Sequence, residues 1–327
     1  EAYDRFYKAT WNGAWQDAGY FACAQISCLR GDYAEALYEI DRSLLRNWHN
    51  PKARALKAAI LARMGRKEEA EALCRESLGL DKFNYGCLFT LGETDRITEL
   101  MHGNAHNYDE VALEYAAAGL WTEAERIWAL AKKNGAVTPM TDYYLGWTLL
   151  RAGDVAGAEK AFEEGCAASP DMVFPNRLEA ILALQAALEL NPEDACANHY
   201  LGNLFYDKRQ YDLAQGYWER ASELNPAFPT TWRNLALVYY NKRGDKQKAL
   251  DCMERAFSLD KTDARILMEL DQLYKKLQHP FDQRLALLQT YPELIAQRDD
   301  LVLEEKTEEV VIKSLTEEIM EQLGDYE

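Results

Sequence analysis

What this chain lacks narrows its chemistry before any motif is read. Its 327 residues include only nine prolines and no low-complexity tract, so 48% hydrophobic content can build an uninterrupted core. No apolar run comes near the roughly 18–20 residues that a membrane-spanning helix needs. Seven cysteines, at positions 23, 28, 74, 87, 166, 196 and 252, are scattered and odd in number, with no Cys-x-x-Cys pair among them. That pattern argues against a zinc ribbon or a dithiol redox centre and reads as free, buried thiols in a reducing, hence cytoplasmic, setting. Neither a Gly-x-x-x-x-Gly-Lys-Ser/Thr phosphate loop nor a Gly-x-Ser-x-Gly nucleophile elbow occurs. His102 and His106 have a helical metal-ligand spacing, but Gly103 and Asn104 between them read as a loop. Carboxylate pairs are too common on helix surfaces for one to be singled out as catalytic. The expectation is a non-enzyme with no cofactor and no metal. The chain opens at Glu1 with neither methionine nor a signal-like basic segment, as expected of a piece of a longer protein.

Positive charge is also scarce. Against 37 lysines and arginines stand 54 acids, a formal net charge of −17. Residues 301–327 hold nine acids and two lysines, a net −7 within a twelfth of the chain. Such a surface repels a phosphate backbone, so nucleic acid is not expected as a partner, although Arg233, Lys242 and Arg243 could form a local basic patch.

What is present in regular supply is alanine. Ala36, Ala70, Ala124, Ala158, Ala180, Ala214 and Ala249 are separated by 34, 54, 34, 22, 34 and 35 residues. A period near 34 marks a helix–turn–helix unit too small to bury its own apolar face, so that neighbours must stack on it. The expected fold is all-α: a right-handed α-solenoid of helical hairpins. Gly31, Gly65, Gly119 and Gly153 are expected to end first helices, and Asn191-Pro192 and Asn225-Pro226 to follow second ones. The interval of 54 predicts an extra helix or two wedged in at residues 83–107. The interval of 22 predicts a connector and one helix at residues 170–192. The expected domains are an array over 1–170, a second array over 171–300, and an acidic amphipathic helix over 301–327. That last helix carries Val311, Leu315, Ile319 and Leu323 at helical spacing, and either caps the array or docks on another molecule, a second copy included.

The residues around each alanine repeat at fixed offsets. Leu201-Gly202, Phe205, Ala214, Trp218, Ala221 and Pro226 form one set; Leu145-Gly146, Leu149, Gly153, Ala158, Phe162, Gly165 and Pro170 form another. A third comprises Trp232, Leu235, Ala236, Tyr239, Ala249, Met253 and Ala256. These sets resemble the tetratricopeptide repeat. The runs at 6–13, 200–208, 232–237 and 239–245 are further similar to the helical half of bacterial proteins in which a β-rich domain of unknown function precedes such repeats. That resemblance extends over about residues 1–300.

It implies a scaffold that binds a protein or peptide along the concave face of the first helices. Counting from the Leu-Gly register, His199, Asn203, Tyr206 and Asp207 belong to that face. Arg233, Asn234, Leu237, Tyr240 and Asn241 continue it, followed by Arg265, Met268 and Gln272. In the N-terminal array Tyr143, Trp147 and Arg151 hold equivalent positions. Asn203, Asn234 and Arg265 fall where peptide-binding relatives hold a C-terminal carboxylate. His199 and Glu269 stand where bases are usual, and Glu269 would repel such a ligand. The alternative for the asparagines is hydrogen bonding to backbone carbonyls between hairpins, with the tyrosines simply packing. The alternative for the whole is a helical appendage that positions an N-terminal, carbohydrate-associated domain.

Overall fold

A computed structural model describes the backbone of residues 1–324 and the side chains of residues 1–313; Leu315, Ile319 and Leu323 lie outside the described side chains. Every regular element among the described residues is helical. The chain divides into two compact units, residues 1–173 with 177–190, and residues 174–176 with 191–327.

Unit 1 opens with α1 (Ala2–Ala9) and a 3-10 turn at Gly13–Trp15. Five hairpins follow: α2 (Gln16–Leu29) with α3 (Tyr33–Arg46), α4 (Pro51–Arg63) with α5 (Lys67–Leu80), α6 (Tyr85–Leu91) with α7 (Thr94–Met101), α8 (Ala105–Ala117) with α9 (Trp121–Lys133), and α10 (Pro139–Ala152) with α11 (Val155–Ala167). A single helix, α12 (Glu179–Leu190), packs on α10 and belongs to unit 1, although it follows the sequence division at 170. Two helices, α6 and α7, lie within residues 83–107, where the sequence predicts an extra helix or two. They are only 7 and 8 residues long.

Unit 2 comprises α13 (Ala195–Asp207), α14 (Tyr211–Leu224), α15 (Pro229–Val238) continued by a π turn at Tyr239–Arg243, and α16 (Lys246–Leu259). It continues with α17 (Ala264–Lys276), α18 (Phe281–Gln289), α19 (Pro292–Ile295) and α20 (Asp299–Gly324).

Several helices start where the sequence supplies a side-chain cap. Asp32, Asn50, Asn84, Asp154, Asp194, Asp245 and Asp263 each accept a hydrogen bond from a first-turn N–H that would otherwise lack a partner. Pro51, Pro139 and Pro229 sit at the start of their helices, where the missing N–H costs nothing. At the far end of α10, Gly153 has φ +91°, a backbone conformation that Leu or Ala adopts only with strain.

All seven spaced alanines are at most 1% exposed, so each lies in the packed interior. A Cβ on Gly202 would fall on the Trp218 ring. Glycine and alanine let α13 and α14 approach closely, and the tryptophan fills the space beside them. Six cysteines are buried and Cys166 is half-buried. No described helix is long and apolar enough to cross a membrane.

The beginning of α20 is pinned to unit 2 from inside. Leu301 is fully buried, and Glu308 reaches the buried Arg284 of α18.

Candidate binding faces

The first helices of unit 2 are joined by a ladder of side-chain hydrogen bonds. Asn203 on α13 is its hub: its Oδ1 accepts from Trp218 Nε1 at 3.0 Å and from Asn234 Nδ2 at 2.9 Å. Its amide nitrogen therefore faces His199 Nε2, 3.0 Å away, and donates to it. His199 Nε2 must be unprotonated to accept, so the proton sits on Nδ1 and is donated to Thr231 Oγ1 at 2.9 Å. His199 is 2% exposed, and burial pushes its pKa down to about 3. The same ladder forbids its protonation, since an Nε2–H would face an N–H donor.

That geometry gives a pH dependence with a definite sign. The folded pKa lies below the unfolded value of about 6.5, so the unfolded chain binds the extra proton. The stabilisation is complete above the unfolded pKa and is lost as pH falls toward the folded one. Relative to His199→Gln, the native chain should lose about 2 kcal/mol of stability between pH 7 and pH 5, read by urea unfolding at both pH values. A stability gap that stays constant with pH would mean that His199 protonates freely in the fold.

On the next two first helices, Arg233 of α15 and Glu269 of α17 form a bidentate pair, with Nε to Oε2 at 2.6 Å and Nη2 bonded to Oε1. Arg233 Nη1 also donates to Asn234 Oδ1 at 3.1 Å, and Arg265 Nε reaches Glu269 Oε1 at 3.1 Å. Glu269 thus lies between two guanidinium groups. Beside it, Leu237, Tyr240 and Asn241 face Met268, Gln272 and Lys276 across a cavity of about 140 Å³. Lys276 Nζ lies 5.2 Å from the Tyr240 ring centroid, and Tyr206 packs edge-on against Tyr211. Asp207 is exposed and paired with Lys208.

The structure corrects four readings. His199 is too deeply buried for a ligand to reach, because Phe228 covers it with ring centroids 4.5 Å apart. The two asparagines bond to side chains rather than to backbone carbonyls. In unit 1, Tyr143 is fully buried against Phe162, whereas Trp147 and the exposed Arg151 line an open cavity of about 330 Å³ with Leu182, Gln185, Ala186 and Glu189. The three bases expected as a patch are separately engaged: Arg233 by Glu269, Arg243 by Asp212, and Lys242 over the Tyr211 ring at 4.0 Å. His102 and His106 stand on either side of a helix break, His102 in the left-handed region at φ 51°.

One feature of unit 1 had no residue-level signal. A cleft of about 200 Å³ opens at the N-terminal end of α6, between α4 and α8. Only the 54-residue interval hints at it.

Residues 112–173 and 199–264 match a family model described as the tetratricopeptide repeat, and residues 51–84 match a second model of the same description. This is a tetratricopeptide-repeat protein. Its repeats are similar to those of Tetratricopeptide repeat protein 37 from Xenopus laevis, at 31% identity over 111 residues. That match spans 32% of this chain and 7% of the relative's length. Among solved structures, YrrB, a TPR protein with an unusual peptide-binding site, is 18% identical over 70% of this chain and 95% of its own, with a TM-score of 0.27. MamA from Desulfovibrio magneticus RS-1 is 19% identical over 60% of this chain and 97% of its own, with a TM-score of 0.34. TTC0263, a thermophilic TPR protein from Thermus thermophilus, is 18% identical over 63% of this chain and 99% of its own, with a TM-score of 0.35. Tetratricopeptide-repeat proteins are in general non-catalytic scaffolds that hold protein or peptide partners.

Proposed function

We propose that the face formed by α13, α15 and α17 takes an extended peptide or a partner helix, and that the protein works as an interaction scaffold. The observation that supports this is the gathering of Leu237, Tyr240, Asn241, Met268 and Gln272 around one cavity, next to polar groups already satisfied among themselves. A packed core has no use for a half-open cavity lined by flexible methionine and amphipathic tyrosine; an adaptable contact surface does. The carboxylate of Glu269 already bonds both arginines, so a C-terminal carboxylate is not the expected ligand group.

The test places a photo-reactive residue at Asn241 on this face, or at the exposed Asp251 on α16 as a control, and cross-links partners in a cell extract. The expected result is a discrete product from position 241 only. Tyr240→Ala should reduce its yield about tenfold, which is about 1.4 kcal/mol of binding, while the melting temperature moves by less than about 3 °C. Equal products from both positions, or a yield indifferent to Tyr240, would refute the reading.

A further inference from the structure

One hairpin breaks a pattern that the others keep. Four residues after each of the other spaced alanines comes a large, buried apolar side chain: Ile40, Trp128, Phe162, Leu184, Trp218 or Met253. After Ala70 the residue at that offset is Cys74. A thiol is far smaller than those side chains, so it leaves room beside Ala58 of α4. Cys87, the third residue of α6, packs into the same place. Ala58, Cys74 and Cys87, all fully buried, make up one core cluster. Two thiols, one from α5 and one from α6, thus stand where other hairpins keep a single large side chain. Their remaining neighbours are Ala55, Leu73, Leu78 and Leu91, which offer no ligand atom, so the pair falls short of the four donors that zinc takes.

The two thiols are hydrogen-bonded to each other, with Cys74 as the donor. That bond raises the Cys74 thiol and, against the effect of burial, holds Cys87 below the ordinary thiol range. The buried Arg54 guanidinium, anchored by Ser77 Oγ at 2.7 Å from its Nε, acts on Cys87 in the same direction. Its carboxylate partner Glu76, 2.9 Å away, is half-exposed, so water screens the acid more than the base. Cys87 is therefore the nucleophile of the pair, and Cys74 stands ready to follow it. Solvent comes close from one side, because the cleft of about 200 Å³ reaches Gly86, the residue before Cys87. A local opening of the seven-residue α6 then suffices to bring Cys87 to a small oxidant.

We propose that Cys74 and Cys87 are a redox modification site, closed into a disulfide by hydrogen peroxide and reopened by small thiols. The Cys87 thiolate attacks one peroxide oxygen: an S–O bond forms, the O–O bond breaks, and the departing hydroxide takes up a proton as water. The Cys74 sulfur then attacks the sulfenic sulfur. An S–S bond forms, the S–O bond breaks, and the leaving hydroxide carries off the Cys74 proton as a second water. Two thiols lose two electrons and one peroxide is reduced to two waters. The bond staples α6, one wall of the cleft, to α5. Both residues belong to unit 1, so the site does not depend on the face around Tyr240.

The test exposes the native chain to hydrogen peroxide, alkylates the thiols that remain, and digests with trypsin, which cuts after Arg75 and Lys82 and so separates the two cysteines. The expected product is a cross-linked peptide pair, lighter by two hydrogens, that dithiothreitol abolishes. It should form at least about tenfold faster than Cys252 is oxidised, since burial pushes that thiol up to about 11. In Cys74→Ser, Cys87 should stop at the sulfenic acid and be trapped by dimedone, whereas in Cys87→Ser, Cys74 should stay reduced. The cross-link itself is read in the unsubstituted chain, whether or not either serine variant folds. No cross-link at a peroxide dose that oxidises Cys252, or a folded Cys74→Ser chain whose Cys87 gives no dimedone adduct, would overturn the proposal.

Discussion

Arg284→Ala is expected to destabilise unit 2 by about 3–5 kcal/mol, the range for removing one member of a buried ion pair. Arg284 is 1% exposed and bonds Asp271 through two parallel contacts, Nε to Oδ1 at 2.9 Å and Nη2 to Oδ2 at 2.8 Å. Its Nη1 lies 2.6 Å from Glu308 Oε1, an ion pair without an aligned hydrogen bond, and Glu304 stands 3.5 Å from Nη2. Asp271 is fully buried and Glu308 nearly so. Deleting the guanidinium leaves both carboxylates in the interior with no cation. Lys275 cannot replace it, because its ammonium is exposed and already shared with Glu304 at 2.8 Å.

Two controls separate this account from simple loss of side-chain volume. Arg284→Lys should recover only part of the stability, because a point charge cannot make the two parallel bonds. The triple variant combining Arg284→Met, Asp271→Leu and Glu308→Gln should come within about 1–2 kcal/mol of the native chain, because the desolvated charges disappear together. Burial already holds the Glu308 carboxyl above the ordinary range. The alanine variant should therefore regain stability as pH falls and that carboxyl is protonated. Chemical denaturation at pH 7 and pH 5, followed by circular dichroism, reads all three outcomes. A loss below about 1 kcal/mol for Arg284→Ala would show that the cluster is hydrated. Because Glu308 lies on α20, the same variant should also release the start of that helix, visible as faster amide exchange around Leu301.

Trp128→Ala is expected to cost unit 1 about 4–6 kcal/mol. Trp128 is fully buried and stacks on Tyr144 with ring centroids 5.9 Å apart. Cutting a tryptophan to alanine in such a site removes about 3–5 kcal/mol through lost burial and the cavity left behind. The remainder comes from Asp109, which is 4% exposed and accepts from Trp128 Nε1 at 2.9 Å. Burial raises the Asp109 pKa to about 6 even with this donor in place. Trp128→Phe separates the two contributions, since it keeps most of the packing and loses the donor, at about 1–3 kcal/mol. A folded carboxyl with a raised pKa binds protons that the unfolded chain does not, so stability from this group grows as pH falls. Both variants should thus recover more than the native chain between pH 7 and pH 5. A phenylalanine variant as stable as the native chain would mean that Asp109 finds another donor.

The repeat was legible because close packing leaves few choices at a helix crossing. Gly202 has no room for a Cβ beside Trp218 and Ala214 is fully buried, so the spacing of such residues reports the spacing of hairpins. Depth was less legible than direction. Helical register places His199 and Tyr143 on the face of the first helices, but not how far below its surface they lie. Phe228, from the next turn, closes over His199. Tyr143 sinks because Gly165 occupies a position where a Cβ would stand 3.1 Å from its ring. That glycine, in place of the usual alanine of the repeat, was the available signal. Partners across helices were hidden for a related reason: Arg233 and Glu269 are 36 residues apart, and only stacking brings them together. The cleft at α6 was hidden because its walls come from α2, α4, α6 and α8, residues far apart in sequence that only stacking brings together.

The carboxylate that Glu269 inserts between Arg233 and Arg265 has a thermodynamic consequence for anything that meets the face around Tyr240. Both guanidinium groups are already paired with that carboxylate, so an arriving partner gains little from an ionic contact with them. Its association there should be governed by the apolar area of Leu237, Tyr240 and Met268. It should carry a negative heat-capacity change and be nearly indifferent to ionic strength.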